Sequence, residues 1–276
     1  MEHPFFSKNG EILPVEQAAI PLSNIEYQYG FGVYETVRVT NSIPNFLKDH
    51  LERLAESARI IGLEHSFSST IIYDSAEKLI EKNEVEACNL KILLIGGQTK
   101  DSATLYILCL NPLFPDKKLF RDGVDCITYA YERLFPHAKT LNMLGSYLGL
   151  REARRVNAYE ALLLNRDGRI TEGTRTNFFA MSGKTLYSAP EAVILQGVTR
   201  KAVLRVALDI GFVLEEKELR PDEVQEYGAF LTSTSSKILP IRSIDSLVLP
   251  EPSQKLRELS RAFDEFLEQN RGRSND

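Results

Sequence analysis

Hydrophobic and polar residues follow two periods along this chain, and the two periods predict helices in some stretches and strands in others. Helical spacing is regular before Gly62, where the apolar side chains expected on one buried face are Leu47, Leu51, Leu54, Ala58 and Ile61. Similar patterns predict helices over residues 69–82, 141–156, 198–210 and 253–270. Alternating or uniformly apolar runs predict strands at residues 33–39, 90–95, 104–108, 124–130, 159–164 and 170–179.

The strand predicted at residues 33–39 has two unlike faces. Valines dominate one face, although Glu35 shares it. The other face carries the hydrogen-bonding side chains of Tyr34, Thr36 and Arg38. That polar face either lines a binding site or is exposed to solvent, and the sequence favours neither.

A change of composition in the middle of the chain indicates two domains. The chain has 276 residues, enough for two domains of ordinary size. A stretch with Pro112, Pro115 and clustered charges separates the patterned halves, as a linker would. We therefore expect an N-terminal domain of helices and a strand hairpin at 1–112, a linker at 113–123, and a C-terminal domain with a meander of antiparallel strands at 124–276.

Composition narrows the class of protein. Hydrophobic residues make up 43% and charged residues 26%, which is typical of a soluble globular protein. The net charge of −5 comes without long blocks of one sign, so nucleic acid is not an expected partner. We expect no membrane-spanning segment and a cytoplasmic location. The cysteines Cys88, Cys109 and Cys126 are expected to be reduced core residues, and four scattered histidines predict no zinc site.

Lys139 lies in a short polar segment between a predicted strand and a predicted helix. The helix would bury Leu141, Leu144, Leu148 and Ala153. A lysine at a helix start meets the positive end of the helix dipole, and burial would lower its pKa further. Such an amine can act as a nucleophile towards a carbonyl carbon. An ordinary lysine in a surface turn is the alternative.

Four further features carry groups that suit a charged ligand, and each has a simpler explanation. Arg53 could bind a phosphate or pair with Asp49 or Glu56 on the surface. Glu172, beside a glycine, is either a site carboxylate or a surface residue. Val198 and Thr199 follow Gly197 at a helix start that could bind phosphate, although Thr199 could also be a plain N-cap.

The fourth feature is a hydroxyl-rich turn at residues 232–236, which could bind an anion or simply be a polar loop. Taken together, a nucleophilic lysine, a carboxylate, an arginine and two phosphate-binding turns are the groups that pyridoxal 5'-phosphate requires. The lysine reacts with its aldehyde, the carboxylate keeps its ring nitrogen protonated, and the other groups hold its phosphate.

In their order along the chain, these stretches resemble the class IV aminotransferases, also called fold type IV pyridoxal-phosphate enzymes. The resemblance covers nearly the whole chain and is carried by residues 27–35, 50–54, 139–142, 171–177, 197–200 and 232–236. It implies an α+β fold with a small α/β N-terminal domain and a larger, strand-rich pseudo-barrel C-terminal domain. It also implies a cofactor site in the cleft between the two domains, and a homodimer whose active sites are completed by a loop from the neighbouring subunit.

The resemblance also implies the role of each site residue. Lys139 would be the Schiff-base lysine and proton shuttle, and Glu172 the partner of the pyridine nitrogen. The phosphate would be held by Arg53, Val198, Thr199, Ser233 and Thr234. The residues expected to bind the substrate carboxylate are Tyr34, Arg38, Lys91 and Ser235.

The expected reaction is the transfer of an amino group between an amino acid and a 2-oxo acid such as 2-oxoglutarate or pyruvate. Residues 139–145 and 232–236 are most similar to D-amino-acid aminotransferases, yet Ile95-Gly96-Gly97 lacks their arginine before glycine. Leu144 replaces a tyrosine of the branched-chain aminotransferases. Residues 90–92 are similar to aminodeoxychorismate lyase, which leaves a lyase open. A non-catalytic cofactor-binding protein is the remaining alternative.

Overall fold

The computed structural model describes residues 3–112 and 114–270, which fall into two compact units. Residues 3–112 and the short segment Ala138–Met143 form the first unit. Phe114–His137 and Leu144–Asn270 form the second. Each unit has its own sheet and its own hydrophobic core. Among the described residues, none of the helices combines the length and the apolar character needed to cross a bilayer.

The first unit is a six-stranded antiparallel sheet with two long helices. The strand order is β2-β1-β6-β5-β3-β4. Its strands are β1 (Phe5–Lys8), β2 (Glu11–Pro14), β3 (Gly32–Thr40), β4 (Ile43–Pro44), β5 (Ala87–Ile95) and β6 (Thr104–Leu110). Its helices are α1 (Ile25–Gln28), α2 (Leu47–Ile60) and α3 (Ser69–Lys82).

The predicted helices and hairpin of this unit are confirmed. Helix α2 buries four of the five predicted apolar side chains, while Ile61 is partly buried just beyond its end. The chain leaves α2 through Gly62 at φ +68, a conformation that glycine adopts readily. Strands β5 and β6 form the predicted antiparallel pair. Strand β5 also pairs with β3, the strand that carries Tyr34 and Arg38.

The second unit is built on a nine-stranded mixed sheet. Its order is β12-β11-β10-β13-β14-β7-β8-β9, and β15 pairs with β14. Its strands are β7 (Val124–Ala130), β8 (Glu160–Leu164), β9 (Ile170–Gly173), β10 (Asn177–Ser182), β11 (Thr185–Ser188), β12 (Val213–Glu216), β13 (Gly228–Ser233), β14 (Lys237–Ile244) and β15 (Leu247–Val248). Its helices are α4 (Lys117–Asp122), α5 (Leu144–Arg155), α6 (Val198–Asp209) and α7 (Gln254–Gln269).

The antiparallel meander is confirmed for the pairs β8–β9 and β10–β11, but one predicted strand is wrong. The run 170–179 is divided into β9 and β10 by a bend at residues 174–176. The bend is fixed because the hydroxyls of Thr174 and Thr176 both donate to the buried carboxylate of Glu160. That local hydrogen bonding competes with a continuous strand.

The helix after Lys139 starts later than predicted, and of the four side chains expected on its buried face Ala153 alone is fully buried. Helix α5 begins at Leu144, which is 67% exposed, and Leu148 is only partly buried. The face it buries consists of Ser146, Gly149 and Ala153. The reason is that residues 138–143 join the first unit's sheet instead of extending the helix. Lys139 therefore does not stand at a helix start, and its predicted position at the positive end of a helix dipole is wrong.

Two other predictions about the chain can be compared with the structure. Cys88, Cys109 and Cys126 are buried and free, as predicted. The predicted linker contains α4, and the limits of the predicted domains stay a prediction. Residues 1–2, 113 and 271–276 of the predicted domains and linker lie outside the described residues.

Candidate active site

Hydrogen bonds fix the backbone around Lys139 against the first unit's sheet. Its carbonyl accepts a hydrogen bond of 2.9 Å from Tyr34 N, and its own N–H donates to Ser57 Oγ at 3.0 Å. The next residue but one, Leu141, donates to Gly32 O at 2.8 Å. A Cβ on Gly32 would lie 2.6 Å from the Leu141 side chain, so the close approach of the two segments requires glycine.

The amine of Lys139 lies against an aromatic ring. Its Nζ is 4.6 Å from the centroid of the Tyr34 ring, within the range of a cation–π contact, and Tyr34 is buried. The Lys139 residue is half-buried. The alternative of an ordinary surface-turn lysine is therefore wrong.

A second lysine lies on the same tyrosine. Lys91 Nζ is 3.4 Å from the Tyr34 ring centroid, because Lys91 on β5 pairs with Thr36, two residues along β3 from Tyr34. Burial and the charge of Lys139 together lower the pKa of Lys91 to about 8, against the opposing effects of Tyr34 and Glu35. Two amines this close to each other favour an anionic ligand beside them.

The opposite face of β3 carries a buried ionic cluster. Glu35 accepts hydrogen bonds from Arg53 Nε at 2.7 Å and Nη2 at 2.8 Å, and its Oε2 lies 2.7 Å from His50 Nδ1. Burial opposes the charge on Glu35, but Arg53 and His50 outweigh it and hold its pKa well below the ordinary range. Burial also lowers the pKa of His50, despite the adjacent carboxylate.

The cluster gives Arg53 a buried partner that the sequence analysis did not predict. Its guanidinium pairs with Glu35 inside the unit, and Glu56 forms an ion pair with Arg59. Sequence reasoning missed the partnership with Glu35 and the burial of His50. The available signal was a glutamate on a face of valines, because a charge in such a place requires a partner. The phosphate role of Arg53 stays a prediction.

In the second unit, Glu172 lies in β9 with 2% of its surface exposed. Its Oε2 accepts hydrogen bonds from Asn177 Nδ2 at 3.3 Å and from Leu195 N at 3.2 Å. Its Oε1 lies 3.1 Å from Arg133 Nε. The alternative of a surface glutamate is therefore wrong. No sequence pattern pairs it with Arg133, which lies 39 positions earlier.

The turn before α6 is held by the same asparagine. Asn177 Nδ2 donates to Leu195 O at 2.8 Å. Its Oδ1 would lie 2.1 Å from a Cβ on Gly197, so the turn closes only with glycine at that position. Gly197, not Thr199, is the N-cap, and it provides no side-chain cap. The N–H groups of Val198 and Thr199 therefore stand at an uncapped helix start, which suits a phosphate.

The hydroxyl-rich turn follows β13, beside Asn177. Strand pairing sets Thr232 opposite Asn177, and the buried Thr232 Oγ1 has no hydrogen-bond partner among the described residues. Ser233 Oγ lies 2.7 Å from Ser236 Oγ and accepts a hydrogen bond from Ser236 N, which tightens the turn. Thr234 and Ser235, two of the predicted ligands, are half-buried within it.

The structure thus groups the predicted residues by unit. Tyr34, Lys91 and Lys139 meet in the first unit, and Arg38 lies farther along the same face of β3, opposite Asn89. In the second unit, β10 links the Glu172 carboxylate to the α6 turn through Asn177. Within residues 3–112 and 114–270, no group of three or more His, Cys, Asp or Glu side chains could hold a metal ion.

These groups fit the cofactor that the sequence implied. A deeply buried carboxylate can accept a hydrogen bond from a protonated pyridine nitrogen. An uncapped helix start, closed by a glycine where a Cβ would clash, leaves room and N–H groups for a phosphate. An amine held against a tyrosine ring provides the nucleophile for the aldehyde.

Comparisons with known proteins agree with this assignment. The family described as Amino-transferase class IV matches residues 32–244. D-alanine aminotransferase of Bacillus licheniformis is 31% identical over 86% of this chain and 87% of its own. A probable branched-chain-amino-acid aminotransferase of Rickettsia felis is 27% identical over 86% of each chain. The branched-chain aminotransferase of Thermoproteus uzoniensis, solved with norvaline, superposes with a TM-score of 0.88 at 25% identity over 98% of this chain and 97% of its own.

The fold and the family match together define a pyridoxal-phosphate-dependent enzyme with the fold type IV architecture. The predicted α+β fold, cofactor and enzyme class are confirmed. The chain belongs to the class IV aminotransferases, and its chemistry is pyridoxal-phosphate-dependent transamination. The aminodeoxychorismate lyase alternative is not favoured.

Proposed function

We propose that the protein transfers an amino group between an amino acid, either a D-amino acid or a branched-chain L-amino acid, and a 2-oxo acid such as 2-oxoglutarate or pyruvate. Relatives named for D-alanine and for branched-chain amino acids support both substrate classes. The observation that carries the proposal is the setting of Lys139, whose backbone is held by Tyr34 and Ser57 and whose amine lies on the Tyr34 ring.

Pyridoxal phosphate, when bound, supplies an aldehyde carbon and a ring that withdraws electrons from the substrate Cα. Lys139 would hold the cofactor at that aldehyde carbon through Nζ, and its freed amine would move a proton between the substrate Cα and that carbon in each half-reaction. The packing of its amine on Tyr34 supports this role, because it limits the positions that Nζ can take.

Glu172 binds the protonated pyridine nitrogen in this proposal. Asn177 and Leu195 donate to one of its oxygens and fix the plane of the carboxylate. The N–H of Val198 and the hydroxyl of Thr199 hold the phosphate, together with Arg53, Ser233 and Thr234. The uncapped start of α6 supports the phosphate role of Val198 and Thr199.

The substrate carboxylate is assigned to Tyr34, Arg38, Lys91 and Ser235. Lys91 has the strongest support, since its ammonium is buried and already lies beside a second cation. An amine in that setting gains most from a negative partner. Tyr34 supports both lysines and can donate a hydrogen bond through its hydroxyl.

We also propose a homodimer with shared active sites and a cytoplasmic location. Self-association is supported by apolar side chains left on the surface, such as Leu22 at 95% exposure and Tyr29 at 81%. The three free cysteines support a reducing compartment.

The test is a half-reaction with separate D- and L-amino acids. Each is added to the purified enzyme with pyridoxal phosphate, and the absorbance change to the amine form of the cofactor is followed. Conversion by D-alanine or by an L-branched-chain amino acid, reversed by a 2-oxo acid, is the expected result. No conversion by any D- or L-amino acid, with cofactor bound, would refute the proposal.

A further inference from the structure

We infer that Arg133 is a positioning residue that compensates the negative charge of Glu172 and thereby sets how readily the bound cofactor releases its protons. The inference rests on the proposed role of Glu172 at the pyridine nitrogen. It adds a residue that neither the sequence patterns nor the resemblance had assigned.

Two contacts hold the Arg133 guanidinium beside Glu172. Its Nε lies 3.1 Å from Glu172 Oε1, and its Nη2 donates to Thr174 O at 3.2 Å. The Arg133 side chain is 16% exposed and that of Glu172 is 3% exposed, so water screens the pair little. Because Thr174 is two residues after Glu172, the guanidinium is anchored to the same strand end as the carboxylate it faces.

The two oxygens of Glu172 have different environments. Oε2 accepts from two neutral donors, Asn177 Nδ2 and Leu195 N, whereas Oε1 faces the positive charge of Arg133. A buried carboxylate with donors at one oxygen and a cation at the other stays ionised. Its charge is largely compensated, and it is a weaker base towards a third partner such as a pyridinium.

The other charged side chains near this strand end have partners of their own. These pairs are Glu160 with Arg175 at 3.6 Å, Glu132 with Arg166 at 3.6 Å, and Glu191 with Arg200 at 3.1 Å. Glu160 also accepts hydrogen bonds from the two threonine hydroxyls of the bend between β9 and β10. Arg133 is therefore the cation that these contacts assign to Glu172.

Removing the charge of Arg133 is expected to raise the pH at which the bound cofactor loses its proton. In Arg133→Gln, Glu172 would become an uncompensated anion beside the ring, which favours the protonated forms of the cofactor and of its bond to Lys139. The absorbance of the bound cofactor, titrated with pH in the absence of substrate, is expected to shift its midpoint upward by about one pH unit. Arg133→Lys retains the charge and is expected to leave the midpoint near that of the wild type.

A matched control separates this effect from a general loss of charge. Arg166→Gln removes a guanidinium that is 93% exposed and lies 3.6 Å from Glu132, so the midpoint should not move. A midpoint in Arg133→Gln equal to that of the wild type would overturn the inference. So would an equal shift in Arg133→Lys.

Two outcomes keep the inference distinct from the proposed function. If wild-type enzyme shows no lysine-bound cofactor after borohydride reduction, the proposed function fails first. If the wild type carries lysine-bound cofactor and its absorbance titrates with pH, but Arg133→Gln and Arg133→Lys have the same midpoint, the inference alone fails. Arg133→Met replaces the glutamine variant if that one does not fold, and failure of both to fold would assign Arg133 to the fold and overturn the inference.

Discussion

The ring of Tyr34 contacts the amines of two lysines of the first unit, Lys139 and Lys91, and different roles are proposed for them. Lys139 Nζ is 4.6 Å and Lys91 Nζ 3.4 Å from its ring centroid. Lys139 is proposed to bind the cofactor, and Lys91 to bind the substrate carboxylate. The charge of Lys91 then decides how well the amino acid binds.

The pH dependence of substrate capture tests Lys91. Its pKa is lowered to about 8, so its positive charge is present below that pH and lost above it. We expect kcat/KM for the amino acid to fall above about pH 8 in the wild type. In Lys91→Arg the charge persists, so the ratio of variant to wild-type kcat/KM should rise about tenfold per pH unit there.

Removing the charge of Lys91 should also lower kcat/KM at neutral pH. Lys91→Met is expected to lower kcat/KM by roughly 10- to 100-fold at pH 7, the size of a lost charge-assisted hydrogen bond. Steady-state kinetics across pH, with Lys78→Arg on the exposed face of α3 as control, provide the measurement. Parallel pH profiles for the wild type and Lys91→Arg would show that another group binds the carboxylate.

At this scale, the sequence identified residues by type and missed their partners. Lys139 and Glu172 were identified because they stand in ordered motifs, and their roles stay predictions. Arg133 and Asn177 could not be paired with Glu172, because folding brings them together from separate strands and turns. Such contacts depend on the distances between side chains in the folded protein, and the order of residues along the chain does not provide those distances.

At the scale of elements, the turn into α6 depends on one glycine. A Cβ at position 197 would lie 2.1 Å from Asn177 Oδ1 and 3.2 Å from Arg200 Cβ, although φ is an ordinary −63°. Gly197→Ala must therefore displace Asn177 or the helix start. We expect it to weaken pyridoxal phosphate binding by about tenfold or more, in keeping with the cost of overpacking.

The measurement is the dissociation constant of pyridoxal phosphate, followed by protein fluorescence. Gly228→Ala is the control, because its added Cβ would meet only Met181 O at 3.8 Å. Equal affinities in the two variants would mean that the turn before α6 does not hold the phosphate.

Helix α5 shows where sequence patterns fail at this scale. Leu141, Leu144 and Leu148 have helical spacing, yet the segment before Leu144 pairs with β3. Long-range pairing outweighed local periodicity there. By contrast, α3 begins and ends where its pattern predicted, because its apolar face packs on the sheet next to it in the chain.

At the scale of the whole molecule, the buried cluster around Glu35 should contribute to stability. Glu35→Gln leaves the guanidinium of Arg53 without its carboxylate, which is expected to cost about 3 kcal/mol of unfolding free energy. Glu56→Gln is matched to it, since Glu56 also binds an arginine with both oxygens but at the surface, and its effect should be small.

The sign of the pH dependence follows from the lowered pKa of Glu35. Its contribution is present above the ordinary glutamate pKa of 4.5 and is lost as the pH falls further below that value. Urea unfolding at pH 7 and at pH 4 provides both comparisons. A Glu35→Gln variant as stable as Glu56→Gln at pH 7 would contradict the assignment.

The two-part organisation of the chain could be predicted, since length and the proline-rich stretch near residue 113 indicated it. The inclusion of residues 138–143 in the first unit could not be predicted, because it depends on hydrogen bonds in which Lys139 O accepts from Tyr34 N and Leu141 N donates to Gly32 O, across about a hundred positions of sequence. That grouping decides the surroundings of the proposed catalytic lysine.

The most direct test of the account is borohydride reduction of the enzyme with pyridoxal phosphate, followed by peptide mass spectrometry. The account predicts a reduced pyridoxyl group on Lys139, and none there in Lys139→Ala. A pyridoxyl group on Lys91, the other amine on Tyr34, or none on either lysine in the wild type would contradict it.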